Sequence, residues 1–125
     1  MPFCFVLFYR PDFELNEAEM LLSGRGLLIN RAQDYLLVKW HEGPELRVFF
    51  AEGEDVRREA EEIASRTSYK AKVSGFDRRF EIGFDDLDEV LDEINTLIEV
   101  QLSLQEATGG FLFNSWNGQL TAPDE

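Results

Sequence analysis

The stretch Phe3-Cys-Phe-Val-Leu-Phe-Tyr9 is apolar at every position. A strand points alternate side chains to opposite faces, so Phe3, Phe5, Leu7 and Tyr9 need cover on one side and Cys4, Val6 and Phe8 need it on the other. The chain must therefore place this strand centrally in a sheet with both faces shielded. An open hairpin or a one-sided sheet would leave one of these rows in water.

The other elements follow from periodicity. Asn16-Glu-Ala-Glu19 has the spacing of a capping box ahead of a short helix that closes on Gly24. Tyr35 to His41 and Glu45 to Ala51 read as a hairpin turning through Glu42-Gly43-Pro44, with a short strand possible at Leu27 to Asn30. From Glu54 to Thr67, the positions Val56, Ala60, Ile63, Ala64 and Thr67 recur with helical spacing, and Glu54/Arg58 and Glu62/Arg66 pair on the outer side. Phe76 to Phe84 alternates, with Phe76, Phe80, Ile82 and Phe84 on one side and Asp77, Arg79 and Glu81 on the other, the pattern of an outer strand with one wet face. A last helix runs from about Asp86 to Ala107, with a stripe of Leu87, Leu91, Ile94, Ile98 and Leu102 widened by Val90, Leu97, Val100, Leu104 and Ala107.

The fold class is α+β. The first six elements match the βαββαβ order of a ferredoxin-like antiparallel sheet, extended here by the long C-terminal helix and a final strand. In that architecture the first and third strands form the central pair, and its two helices cover one face. Cys4, Val6, Phe8, Phe49 and Ala51 then make the second face too apolar for water, and the last helix is expected to lie across it. A homodimer through that helix or through the open sheet face is the other solution.

A length of 125 residues, with 44% hydrophobic and 30% charged, suits one α+β domain spanning 1–125. The apolar start is too short for a membrane span and follows no basic residue, so a cytoplasmic protein with no membrane contact is expected. The net charge is −13, and between Asp85 and Glu125 there are ten acids and no Lys or Arg. Such a surface repels nucleic acid and anionic lipid, and its natural partner is a basic protein.

Little in the chain suggests chemistry. Cys4 and His41 are the only residues of their kinds and lie far apart, so neither a structural zinc site nor a Cys-His pair is read, and Cys4 is expected to be an inert thiol. Ser23-Gly-Arg-Gly26 lacks phosphate-loop spacing and follows a helix, which makes it a helix stop. The acids at the start of the last helix splay around its axis and do not converge on a cation. No catalytic, cofactor or metal residues are assigned. An enzymatic or small-ligand alternative would use Trp40, His41, Tyr69 or Trp116, and carboxylates that meet only in space leave no trace in sequence order.

The stretch LQEATGGFLFNSWNGQL, with Thr108-Gly109-Gly110 closing a long helix before a final strand, resembles a set of small bacterial domains of unknown function, some of them assigned as immunity proteins against toxins. The resemblance implies a non-enzymatic domain that binds and occludes a partner without a cofactor. The glycines read as a helix C-cap and Asn117-Gly118 as a tight turn. Asn114, Ser115 and Trp116 are left as a binding rim, and Asp88, Asp92 and Glu99 as the acidic residues expected to face a basic partner.

Overall fold

The computed structural model describes residues 3–9, 12–39, 45–84, 87–92, 94–114 and 118–123. In chain order these form β1 (Phe3–Tyr9), α1 (Leu15–Gly24), β2 (Leu28–Arg31), β3 (Tyr35–Lys39), β4 (Leu46–Glu52), α2 (Glu54–Ala64), α3 (Lys70–Val73), β5 (Arg78–Phe84), α4 (Leu87–Asp92), α5 (Ile94–Thr108), β6 (Phe111–Asn114) and β7 (Gln119–Thr121). The seven strands make one sheet in the order β2-β3-β4-β5-β1-β6-β7, and every neighbouring pair is antiparallel.

The α+β class holds, but the sheet departs from the ferredoxin-like order. That order would set β1 beside β4, and here β5 lies between them. Phe80, Ile82 and Phe84 of β5 stand opposite Leu7, Phe5 and Phe3 of β1, so the apolar row of β1 meets the aromatic row of β5. β5 is thus internal and not the outer strand its alternation suggested. Its polar row is covered in part, because Arg79 reaches Glu59 of α2 at 2.6 Å, while the Glu81 side chain stays 41% exposed. A charged side chain can line a covered face when its head is paired and its stem packs, and the alternation pattern does not separate that case from exposure to water.

Helices cover both faces, in a different arrangement from the one expected. On one face, Leu15, Ala18 and Leu22 of α1 and Val90, Leu97, Val100 and Leu104 of α4 and α5 pack on Leu7, Tyr9, Leu36, Val38, Leu46, Val48, Phe80 and Ile82. The other face, carrying Val6 and Phe8, is closed by Val56, Ala60 and Ala64 of α2 and Val73 of α3, with Phe111 and Ala122. The last helix therefore lies opposite the row it was expected to shield. The short α3, absent from the sequence reading, supplies part of that cover.

Local signals shift the boundaries. α1 begins at Leu15, capped by Glu14, whose carboxylate and that of Glu17 form a reciprocal capping box; Asn16, the expected cap, instead accepts from Arg31 at 2.8 Å. The Arg31 guanidinium also reaches Glu19 at 2.9 Å and ties α1 to β2. On α2, Glu54 pairs with Arg57 instead of Arg58, and that bond holds the Glu54 carboxyl below its ordinary range. The expected glycine stop of the last helix is borne out at Gly109, with a φ of 66° that costs other residues strain; the first helix does end at Gly24, but Gly24 is its last helical residue, Arg25 is the cap, and the left-handed turn falls on Gly26 with φ of 87°.

Tyr9 is fully buried at the end of β1, stacked on Phe80 at 5.2 Å, and its hydroxyl donates to the Phe13 carbonyl. Burial pushes that hydroxyl above its ordinary value of 10.0, with Arg78 opposing in part. A raised folded pKa favours the native state while the hydroxyl is protonated in both states; that contribution falls once pH passes the unfolded value of about 10 and continues to fall toward the higher folded one. Chemical denaturation between about pH 9 and pH 11 should therefore show stability falling more steeply in the wild type than in Tyr9→Phe. Equal slopes would remove Tyr9 from the alkaline response.

Candidate interaction face

The Leu and Ile residues of the last helix form a stripe wider than one neighbour can cover, and the structure shows where the surplus goes. On α5, Leu97, Val100 and Leu104 enter the core together with Thr96, Ser103, Gln105 and Thr108. Two members of the expected first stripe do not. Ile98 is 41% exposed and Leu102 49% exposed, one turn apart on the outer surface of the helix. Ile94, the next residue along that line, is half-buried against the core.

The buried Gln105 amide holds this orientation, and a surface ion pair lies on the other flank of α5. Toward α1, Glu106 lies 3.6 Å from Arg25. Toward β7, the Gln105 side-chain amide is buried and donates to the carbonyls of Gly110 and Thr121, each at 3.2 Å. A buried amide satisfied by two backbone oxygens resists rotation of the helix, since turning it would strand both acceptors without water. With Leu97, Val100 and Leu104 in the core and the Gln105 amide held, Ile98 and Leu102 stay outside.

The same two helices carry acids. Asp88 and Asp92 are exposed one turn apart on α4, Glu99 is half-buried on α5, and Glu106 is exposed. The sequence holds no Lys or Arg after Arg79, so neither α4 nor α5 carries a positive charge of its own. Ile98 and Leu102 thus form a small apolar strip on an acidic pair of helices, with Glu106 one turn beyond Leu102 and paired with Arg25.

The structure places the expected site residues in two groups. Asp88, Asp92 and Glu99 share the α4–α5 layer. Asn114 ends β6 opposite Phe5, on the sheet face that α4 and α5 cover and at the end where β5 finishes with Phe84 opposite Phe3. It is half-buried. Ser115 and Trp116 lie outside the described residues, as do Trp40 and His41. Tyr69 is half-buried and packs edge-to-face on Phe111 at 5.0 Å, a member of the second core. Ile98 and Leu102 were missed as site residues, although the excess width of their stripe was a signal that part of it would remain uncovered.

Among the described residues, no group of three or more His, Cys, Asp or Glu side chains is placed to hold a metal ion, and no helix is long and apolar enough to cross a membrane. No protein-family model matches the chain, and no curated protein or solved structure matches it either.

Proposed function

We propose that this chain is a non-enzymatic protein-binding domain of the toxin-immunity kind, working in the cytoplasm, whose α4–α5 face takes a basic protein partner. The observation that carries this reading is the exposure of Ile98 and Leu102 on a pair of helices that also carries Asp88, Asp92, Glu99 and Glu106 and no basic residue. Apolar side chains at the centre supply affinity by leaving water, while the acids steer a positively charged surface toward them and set its orientation. Occlusion by such a face needs no cofactor. A homodimer is the second reading, favoured by the half-exposed Tyr35, Leu37 and Phe49 elsewhere on the sheet.

Immobilised wild-type chain and an Ile98→Asp, Leu102→Asp double variant, incubated with extract of the source cell at about 50 mM salt and washed at about 500 mM, make the test. The wild type should retain a Lys- and Arg-rich protein that high salt releases, and the variant should retain at least tenfold less of it. An identical set of proteins on both baits would contradict the proposal.

A further inference from the structure

The sheet has two ends, and they differ. At one end β7 is three residues long, the Thr121 carbonyl is taken by the Gln105 amide, and Pro123 follows soon after. At the other, β2 has β3 as its one neighbour among the described residues and carries neither proline nor lysine. Its single charge, Arg31, is turned onto α1, where the guanidinium meets Asn16 and Glu19. Natural edge strands are commonly protected by proline or by a charge left free, and β2 has neither.

The hairpin bond between β2 and β3 decides which backbone groups face out. Ala32 donates to the Tyr35 carbonyl at 2.8 Å, so alternation along the antiparallel ladder makes Asn30–Leu37 and Leu28–Lys39 hydrogen-bonded pairs. Ile29 and Arg31, in the pairs between, point their N–H and C=O groups away from β3. Apolar side chains border this edge on both sheet faces. Besides Ile98 and Leu102, the large apolar side chains left exposed among the described residues are Met20 at 77% and Leu28 at 53%. Met20 lies one turn on from Asn16, on the flank of α1 that holds Arg31. Leu28 is on β2 itself, on the face opposite to Ile29, which packs on the core beneath α1. From Met20 to Gln33 the sequence has Arg25 and Arg31 and no Asp or Glu, in a chain of net charge −13. A second copy can approach here without opposing carboxylate to carboxylate.

We infer that β2 pairs with β2 of a second copy, antiparallel about a twofold axis at Asn30. Setting Ile29 opposite Arg31 of the second copy, and the reverse, joins every outward N–H and C=O of both strands. A register centred on Arg31 would place two guanidinium groups opposite each other. One centred on Ile29 would need the Leu27 N–H, which is already bonded to the Leu22 carbonyl. The centred register also brings the exposed Leu28 opposite Ala32 of the second copy. Because both copies offer the same strand, the contact is isologous and closes at a dimer whose sheets run on edge to edge. It uses no residue of the α4–α5 face and stands apart from the proposed function.

Sedimentation equilibrium of the full chain should show a mass rising with concentration from 14.4 kDa toward twice that value and no further. The association should hold or tighten between about 50 and about 500 mM salt, since salt screens the repulsion between two acidic copies. Asn30 is exposed, so Asn30→Lys spares the fold while setting two cations face to face on the axis, and it should weaken the dimer at least tenfold. Ile98→Asp with Leu102→Asp should dimerise as the wild type does. Under mild oxidation Asn30→Cys should form a covalent dimer, because its cysteines meet across the axis. Leu28→Cys should not, its counterpart lying roughly 13 Å along the strands, beyond the reach of about 7 Å that a disulfide allows. A monomeric wild type, a dimer that salt dissociates or that Asn30→Lys leaves intact, or equal cross-linking at positions 28 and 30 would each overturn the inference. Loss of the dimer in the Ile98, Leu102 variant would overturn it too, by moving the contact to α4–α5.

Discussion

Replacing Phe80 by alanine should lower stability by about 3–5 kcal/mol, among the largest losses a single substitution in this chain can produce. Phe80 is fully buried at the centre of β5. Its ring stacks on Tyr9 at 5.2 Å, meets Phe13 edge-on at 6.0 Å and lies 5.7 Å from Phe50. Removing it takes away the transfer energy of a large apolar group and leaves a cavity whose other walls sit on β1, β4 and the segment before α1. The walls on β1 and β4 belong to paired strands, so they cannot collapse inward without breaking ladders. Phe80→Leu should recover more than half of the loss, because it fills most of the void. Urea denaturation measures both; a change below about 1 kcal/mol for Phe80→Ala would show that this aromatic cluster is not the centre of the core.

Gly110→Ala is the second large effect, and its cause differs from that of its neighbour. A Cβ on Gly110 would lie 2.6 Å from the Phe8 carbonyl oxygen, with Thr108 Oγ1 at 3.0 Å and Leu7 Cδ1 at 3.1 Å. The first of these is backbone of the strand that pairs with β6, so relief requires β6 to move away from β1. A loss at or above the upper end of the usual overpacking range of about 1–3 kcal/mol is expected. Gly109 has open space around it and a φ of 66° instead. There the penalty is only the left-handed backbone, which asparagine tolerates better than alanine. Thermal unfolding should rank Gly109→Asn mildest, Gly109→Ala intermediate and Gly110→Ala worst; a Gly110→Ala protein as stable as wild type would show that β6 does not approach β1 this closely.

Thr108-Gly109-Gly110 illustrates what could be read from sequence and what could not. The helix stop was legible because glycine past a helix end has a local cause, and Gly109 closes the turn through its N–H to the Gln105 carbonyl at 2.8 Å. Gly110 was read as part of the same cap, but its requirement is tertiary and depends on which strand lies alongside. The central place of β1 followed correctly from its two apolar rows. The identity of its neighbour did not, because Arg79 and Glu81 gave β5 the alternation of a half-wet strand while Glu59 of α2 was waiting to cover it. The wide stripe of the last helix foretold more than one contact. Which half would be left outside depends on contacts such as that of Gln105 with the Thr121 carbonyl, which has no periodic signature. Of the expected site, the acids of α4 and α5 share one layer, and the apolar residues between them are the part that sequence periodicity assigned to the core.

The most direct test of the α4–α5 face is amide hydrogen exchange of the chain alone and in complex with the basic protein it retains at low salt. Slowing should concentrate over residues 88–92 and 94–106, with no added protection along α2 at 54–64. A footprint on α2 and α3, or none on α5, would contradict the assignment of this face as the binding surface.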